Sequence, residues 1–401
     1  MPPLPKHGSR KLFLLRAVAG CERLLRHRPS LAPNDLRSIR NFLLLQYDTP
    51  LGSAIHATPL YEAIKRRLPD ATIFVAASPL AAGVLHRSPF VDRCVVTPDP
   101  WKDFRGALQS VRKILHDLPH GPVCIATTRG NQRSRAALLA MLAGNAVRTG
   151  FTLATPLYHL PLTIHTDRSQ IDDNLDILRV LAHPAAASEI STPEPRIFFS
   201  RQDADVASHL LSDKIHSASR TRIAYATQNS GTQPNQWRAE RFQHVIRTLS
   251  QTLHALPIFI GSAREASAIE ALRLPLEDPG ISLAGKTTIP QLAAVLAQCD
   301  AIVSLDTGSF HAARAVQLPG VVLAPAWQPA VEWLPIHHPR YRVLRGASIA
   351  APPANPFIDE ISAEQGIAAA NDLLAHHPPS LDARQTRVRN ALCDNEHTVR
   401  T

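Results

Sequence analysis

The sequence predicts an α/β protein of two doubly wound, Rossmann-like domains facing a cleft, and three observations predict it. Short apolar strands alternate with helices from residue 42 to residue 142. The same alternation restarts at residue 223 and runs to residue 323. Between them lies a polar Ala/Pro/Ser-rich stretch, HPAAASEISTPEP, which reads as a connection. Strands alternating with helices imply crossover connections and a mostly parallel sheet in each half.

In the first half, Phe42–Leu45 is a short buried strand, followed by the turn Asp48–Gly52 and a helix from Ser53 to about Leu68. Strands at Ile73–Ala77, Cys94–Val96 and Val123–Ala126 follow, with helices over Trp101–Leu118 and Ser134–Leu142. In the second half, strands fall at Ile223–Ala226, Ile258–Ile260, Ala301–Leu305 and Val321–Leu323. Helices start near Arg238, Glu265, Gln291 and Ser309, and a last one covers Ala363–Leu374. The expected divisions are a basic N-terminal extension (1–40), a first Rossmann-like domain (41–185), a connection (186–220), a second Rossmann-like domain (221–345), a crossover helix (346–375) and a disordered polar tail (376–401). Open α/β sheets bind ligands at the strand C-terminal ends, so the loops after Leu45, Ala226 and Leu305 should face the cleft.

Composition narrows the class. The 401 residues favour more than one domain, and 45% hydrophobic with 19% charged residues is ordinary globular usage. The 34 prolines are dispersed, so they punctuate loops. The net charge of +10 points to an anionic partner: nucleic acid, an anionic membrane face or a phosphorylated substrate. Nine Lys or Arg against Glu22 and Asp35 between Lys6 and Arg40 carry much of it. There, Leu14, Val18, Cys21 and Leu25 share one face of a basic helix, a pattern that suits either an anionic bilayer or the protein body. Zinc-finger spacing, an RNP-like aromatic motif and a zippered basic helix are all missing, which argues against nucleic acid. The five scattered cysteines lack C-x-x-C spacing, arguing against zinc and against a disulfide framework, and for a reducing, cytoplasmic setting. No apolar run reaches the ~18 residues of a membrane span.

The strongest local feature is AIVSLDTGSFHAARAV, residues 301–316. A buried strand ends in Asp306-Thr307-Gly308 and a helix starts at once. Gly308 permits close backbone approach, Thr307 adds a hydroxyl, and the N–H groups from Ser309 to Ala312 with the helix dipole make an anion site. Asp306 or Ser309 can also cap this helix, which is compatible with anion binding.

This segment resembles the D-[ST]-G-x-x-H-x-A signature of glycosyltransferase family 9, the bacterial heptosyltransferase-like enzymes, with His311 at the histidine. The resemblance runs over about residues 42–375. NFLLLQYDTPLGSAIHATPLYEAIKRRLPDATI resembles the family's first strand, glycine loop and helix. PFVDRCVV resembles N-P-x-V-D-x-V, and RGNQRSRAALLAMLAGNAVRTGF resembles the segment ending R-x-G-F, with Arg129 and Arg133 on the acceptor side. SLAGKTTIPQLAAVLAQCDAIVSLDTGSFH matches a long L-x-G-K-T pattern that includes Lys286. The resemblance implies a glycosyltransferase B fold and inverting transfer without a metal or other cofactor. It implies a nucleotide-sugar donor, ADP-heptose in the usual case, and a lipopolysaccharide or similar envelope-glycan acceptor at the cytoplasmic face of the inner membrane. The second domain would hold the donor, and the first the acceptor and the general base.

Two positions depart from that pattern. The family's first loop reads G-D, with the Asp as favoured base; here it reads Gly52-Ser53. A neutral serine is a poor base, so Asp48 or His56 becomes the alternative, although Asp48 also suits a plain turn and His56 a packed helix. In NSGTQPNQWRAERF the family's lysine, two residues before Trp237, is Asn235. Arg238 or Lys286 is then the substitute cation, with Gly231 and Thr232 lining the donor loop. The competing readings are a catalytically silent nucleotide-sugar-binding protein and a nucleotide-sugar epimerase of the same architecture.

Overall fold

The computed structural model describes residues 17, 20, 31–47, 50–151, 157–182, 190–212, 220–229, 235–352, 355, 357–394 and 399–400. The basic face assigned to residues 10–28, apart from Ala17 and Gly20, lies outside them. The chain forms two compact units: Pro2–Pro195 with Asn395–Thr401, and Arg196–Asp394.

The first unit is built on a parallel sheet of β1 (Asn41–Gln46), β2 (Thr72–Ala77), β3 (Arg93–Val96), β4 (Val123–Thr127), β5 (Val147–Phe151) and β6 (Leu160–Leu162). Their spatial order is β3-β2-β1-β4-β5-β6. The second unit repeats this plan with β7 (Arg222–Ala226), β8 (Leu256–Phe259), β9 (Ile281–Ser282), β10 (Ala301–Leu305), β11 (Gly320–Ala324) and β12 (Tyr341–Arg345), in the order β12-β11-β10-β7-β8-β9. In both, the order reverses beside the first strand, between β1 and β4 and between β7 and β10. Those are the topological switch points where such sheets take ligands. β1 and β10 are buried along their whole length, as expected of central parallel strands covered on both faces.

Helix starts follow local chemistry. Thr288 and Gln291 form a reciprocal capping box for the helix Ile289–Ala297, and Ser362 and Gln365 do the same for Ala363–His376. The latter helix packs on the helix Ala239–Leu253 and on β11 and β12, inside the second unit. Trp237 fills that layer, edge-on to Phe242 at 4.8 Å, with its indole N–H donating to Ile361 O at 2.9 Å.

The structure corrects several expectations. The helix expected from Ser53 is two helices, Leu51–His56 and Thr58–Arg67, broken at Ala57 where Thr58 Oγ1 donates to Ile55 O at 2.8 Å. The connection 186–220 contains the helix Arg201–Ser212, which packs against Ile289–Ala297. The tail from 376 is not simply disordered: Leu381–Ala391 is helical. Its face is polar, so burial of apolar surface does not hold it. Instead Arg384, 5% exposed, lies 3.4 Å from the buried Asp300. Arg387 donates to the carbonyls of Ala297, at 3.2 Å, and Cys299, closing the C-terminal end of Ile289–Ala297. The final strand β13 (Val399–Arg400) returns to the first sheet beside β3.

Candidate functional site

At the first switch point, the loops after β1 and β4 are tied together. Tyr47 N–H donates to Asn131 Oδ1 at 3.2 Å, and Asn131 Nδ2 donates to Thr128 Oγ1 at 2.8 Å. Asp48 lies outside the described residues. The helix Leu51–His56 carries Gly52, Ser53 and His56, all buried, and Gln46 Nε2 fixes it by donating to Ala54 O at 3.1 Å. His56 exposes no surface, and its carbonyl accepts from Asn174 Nδ2 at 3.1 Å. That burial suits the packed-helix alternative for His56.

Arg129, expected on the acceptor side, is 4% exposed and committed elsewhere. Its Nε donates to Asp173 Oδ2 at 2.9 Å, while its backbone N–H donates to Asn174 Oδ1 at 2.8 Å. Asp173 has no exposed surface and also accepts from Arg168 Nε (2.8 Å) and from His165 N–H (3.1 Å). Among the described residues, His165, Asp173 and Asp176 are the one group with metal-ligand spacing. The Arg168 guanidinium already lies against both carboxylates, so the position of a cation there is taken. Arg133 is exposed and sits over Trp101, 5.1 Å from the ring centroid; Trp101 in turn meets Tyr47 edge-on at 6.1 Å. Burial pushes the Tyr47 phenol up to about 12, even though Thr97 hydrogen-bonds it.

The second switch point is built from Asp306, Thr307 and Gly308 after β10, and from the segment after β7. Gly231 and Thr232 lie outside the described residues. Asn235 is fully buried and donates through Nδ2 to Asp306 O at 3.0 Å, tying the two loops. Among the described residues, its Oδ1 is buried with no hydrogen-bond partner, and so is Thr307 Oγ1. Thr307 is the residue before the helix Gly308–Ala315, yet its side chain makes no capping bond. Phe310 and His311 N–H reach Thr307 O at 3.1 and 3.4 Å, so the expected anion site shifts back by two residues. The N–H groups of Thr307, Gly308 and Ser309 are the ones without a partner among the described residues. Asp306, 7% exposed, has its carboxylate 3.5 Å from His311 Nε2, and the His311 ring lies 6.1 Å from Trp333.

The two substitute cations fare differently from expectation. Arg238 grips Asp359 in a two-pronged pair at 2.6 Å and 2.6 Å and lies 4.8 Å over the Phe357 ring. That contact holds the Asp359 carboxyl below its usual range. Lys286 is exposed, in a turn whose Gly285 takes a positive φ of 70° that glycine permits, and a Cβ there would also strike the Ala263 backbone. Neither supplies a buried charge to the Asp306 junction. Sequence reasoning missed Asn131, Asp173 and Asn174, each of which has a partner distant in the chain; the Asp-Asp-Asn run at 172–174 in a helix was the signal available.

The model of glycosyltransferase family 9 (heptosyltransferase) matches residues 130–335. Lipooligosaccharide heptosyltransferase 2 of Haemophilus ducreyi is 23% identical over 68% of this chain and 80% of its own. Lipopolysaccharide heptosyltransferase 2 of Salmonella typhimurium is 25% identical over 74% and 85%. In fold, the chain resembles a family 9 glycosyl transferase from Veillonella parvula (TM-score 0.73, 19% identity, 85% of this chain and 99% of that one). It also resembles the E. coli ADP-heptose lps heptosyltransferase II (TM-score 0.67, 20% identity, 84% and 99%).

Proposed function

The chain belongs to glycosyltransferase family 9 and is a glycosyltransferase of the B fold, and on that premise we propose that it moves heptose from ADP-heptose to a lipopolysaccharide-type envelope glycan. The observation that carries the donor half of this reading is the junction after β10. Three N–H groups without a partner among the described residues, at Thr307, Gly308 and Ser309, open a helix at the switch point, and an N-terminus of this kind attracts a diphosphate. As the glycosidic bond to the diphosphate breaks, negative charge grows on the leaving oxygen. Fixed N–H dipoles stabilise that charge without reorganising. Asp306, beside His311, is placed to accept a hydroxyl of the transferred sugar.

Transfer is inverting in this proposal: the acceptor hydroxyl attacks the anomeric carbon opposite the leaving ADP and gives its proton to a base. Asp48 is that base in this proposal: in the sequence it stands two residues after the end of β1, and Ser53 is neutral. Metal is not needed, since the helix N-terminus takes the diphosphate and Arg168 occupies the carboxylate cluster. The protein works at the cytoplasmic face of the inner membrane. No described helix is long and apolar enough to cross a membrane. The basic segment before residue 40 supports contact with anionic lipid, as does an apolar pocket of Leu36, Ile39, Phe42 and Leu68 with Arg37 and Arg67 at its rim.

The test is turnover with ADP-heptose and a heptose-deficient lipopolysaccharide core, followed by mass spectrometry. The expected result is one added heptose, the same yield in EDTA, and an inverted anomeric centre. ADP-heptose binding without transfer to any core acceptor would favour the silent binding protein instead.

A further inference from the structure

We propose that Asn235 reads a hydroxyl group of the nucleotide-sugar donor, taking the place of a cation on its diphosphate. The inference rests on the donor-binding reading above and deepens it. Asn235 exposes no surface, and its amide orientation is determined by its neighbour: Asp306 O can only accept, so the group 3.0 Å away is Nδ2. The other half of the amide, Oδ1, is buried and has no hydrogen-bond partner among the described residues.

A buried carbonyl oxygen without a partner is rare and costly, and it marks a place where a donor is expected. Diphosphate cannot be that donor. Its oxygens are acceptors, and the partial negative charge on Oδ1 repels them. A hydroxyl supplies the missing proton and leaves the diphosphate to the N–H groups of Thr307, Gly308 and Ser309. Thr307, next in the chain to Asp306, has an Oγ1 that is buried and equally without a partner among the described residues. Because a threonine hydroxyl can donate or accept, it suits either group. The nearest cation in sequence, Arg238, is paired with Asp359. Position 235 thus selects for hydroxyls, and charge is met by backbone.

The hydroxyl can belong to the ribose or to the transferred sugar, and the experiment separates the two. Binding of inorganic diphosphate, ADP and ADP-heptose is measured by calorimetry on the wild type and on Asn235→Ala. The expected result is unchanged affinity for diphosphate and a loss of about tenfold for a ligand that carries the hydroxyl. The loss appears with ADP if the ribose is read, and only with ADP-heptose if the sugar is read. In parallel, the wild type is titrated with 2′-deoxy-ADP, 3′-deoxy-ADP and deoxyfluoro ADP-sugars, which needs no variant to fold. One of these must lose about tenfold. Equal loss on all three natural ligands, diphosphate included, would assign Asn235 to the phosphates or to loop structure and overturn the proposal. So would full affinity for every deoxy analogue. A wild type that binds neither ADP nor ADP-heptose would instead overturn the functional reading itself.

Discussion

The two domains share one strand order and one device, an asparagine that ties two loops at the switch point, yet they differ in how the polar groups next to that asparagine are met. In the first, Asn131 joins the β1 and β4 loops, and the charge nearby is matched internally: Arg129 on Asp173, Asp173 on Arg168. In the second, Asn235 joins the β7 and β10 loops, but Oδ1, Thr307 Oγ1 and three N–H groups stay without partners among the described residues. Most buried polar groups of a fold are satisfied within it, and an unsatisfied one calls for an explanation. On the proposed donor reading, the first switch point is braced and the second is the one that takes a ligand.

The largest effect that would break this comparison is on the brace. Asp173→Ala leaves Arg129 buried and uncompensated, which costs about 3–5 kcal/mol of folding stability. Urea unfolding checks it, and a loss below about 1 kcal/mol would mean that water or a rearranged loop takes over. The second switch point should behave in the reverse manner. Thr307→Val removes a hydroxyl without a partner, so stability should stay within about 0.5 kcal/mol while ADP affinity falls roughly fivefold. A melting point that drops along with affinity would show the hydroxyl to be part of the fold. A smaller effect concerns the decoy cation: Arg238→Ala should leave ADP affinity within about twofold, because an exposed guanidinium held by Asp359 contributes little at the junction. A larger fall would put Arg238 on the donor.

The smallest difference is expected where the domains are alike, in their dry interiors. Burial pushes the thiols of Cys94 and Cys124 in the first domain, and of Cys299 in the second, up to about 12. A thiol reacts as its thiolate, so none of the three should be alkylated in the native protein at pH 8, whereas the half-buried Cys393 should be. Rapid labelling of one of the three would reveal local opening in that domain.

Much of this architecture was legible because it is local. The apolar runs at Phe42–Leu45 and Ala301–Leu305 are buried strands. The Asp306–Gly308 step does separate a strand from a helix. What escaped depends on long-range partners. β5, VRTGF, carries an arginine and a glycine and looks unlike a strand, yet Arg148 is 2% exposed because its guanidinium donates to Leu157 O at 3.1 Å. The helix Leu381–Ala391 is polar, and its partner Asp300 is far away in sequence. Asp173 and Asn174 look like surface helix residues until Arg129 and His56 arrive beside them. At the candidate site, the motif located the Asp306–Gly308 junction, but no sequence pattern says that Arg238 is paired with Asp359 or that an amide oxygen at 235 lacks a partner among the described residues.

The most direct test of the contrast between the domains is amide hydrogen exchange of the full chain with and without ADP-heptose. The N–H groups of Thr307, Gly308 and Ser309 have no partner among the described residues, so bound donor should slow their exchange strongly, with little change at Thr128–Arg133. Protection at Thr128–Arg133, with Thr307–Ser309 unchanged, would place the donor on the first domain and contradict the account.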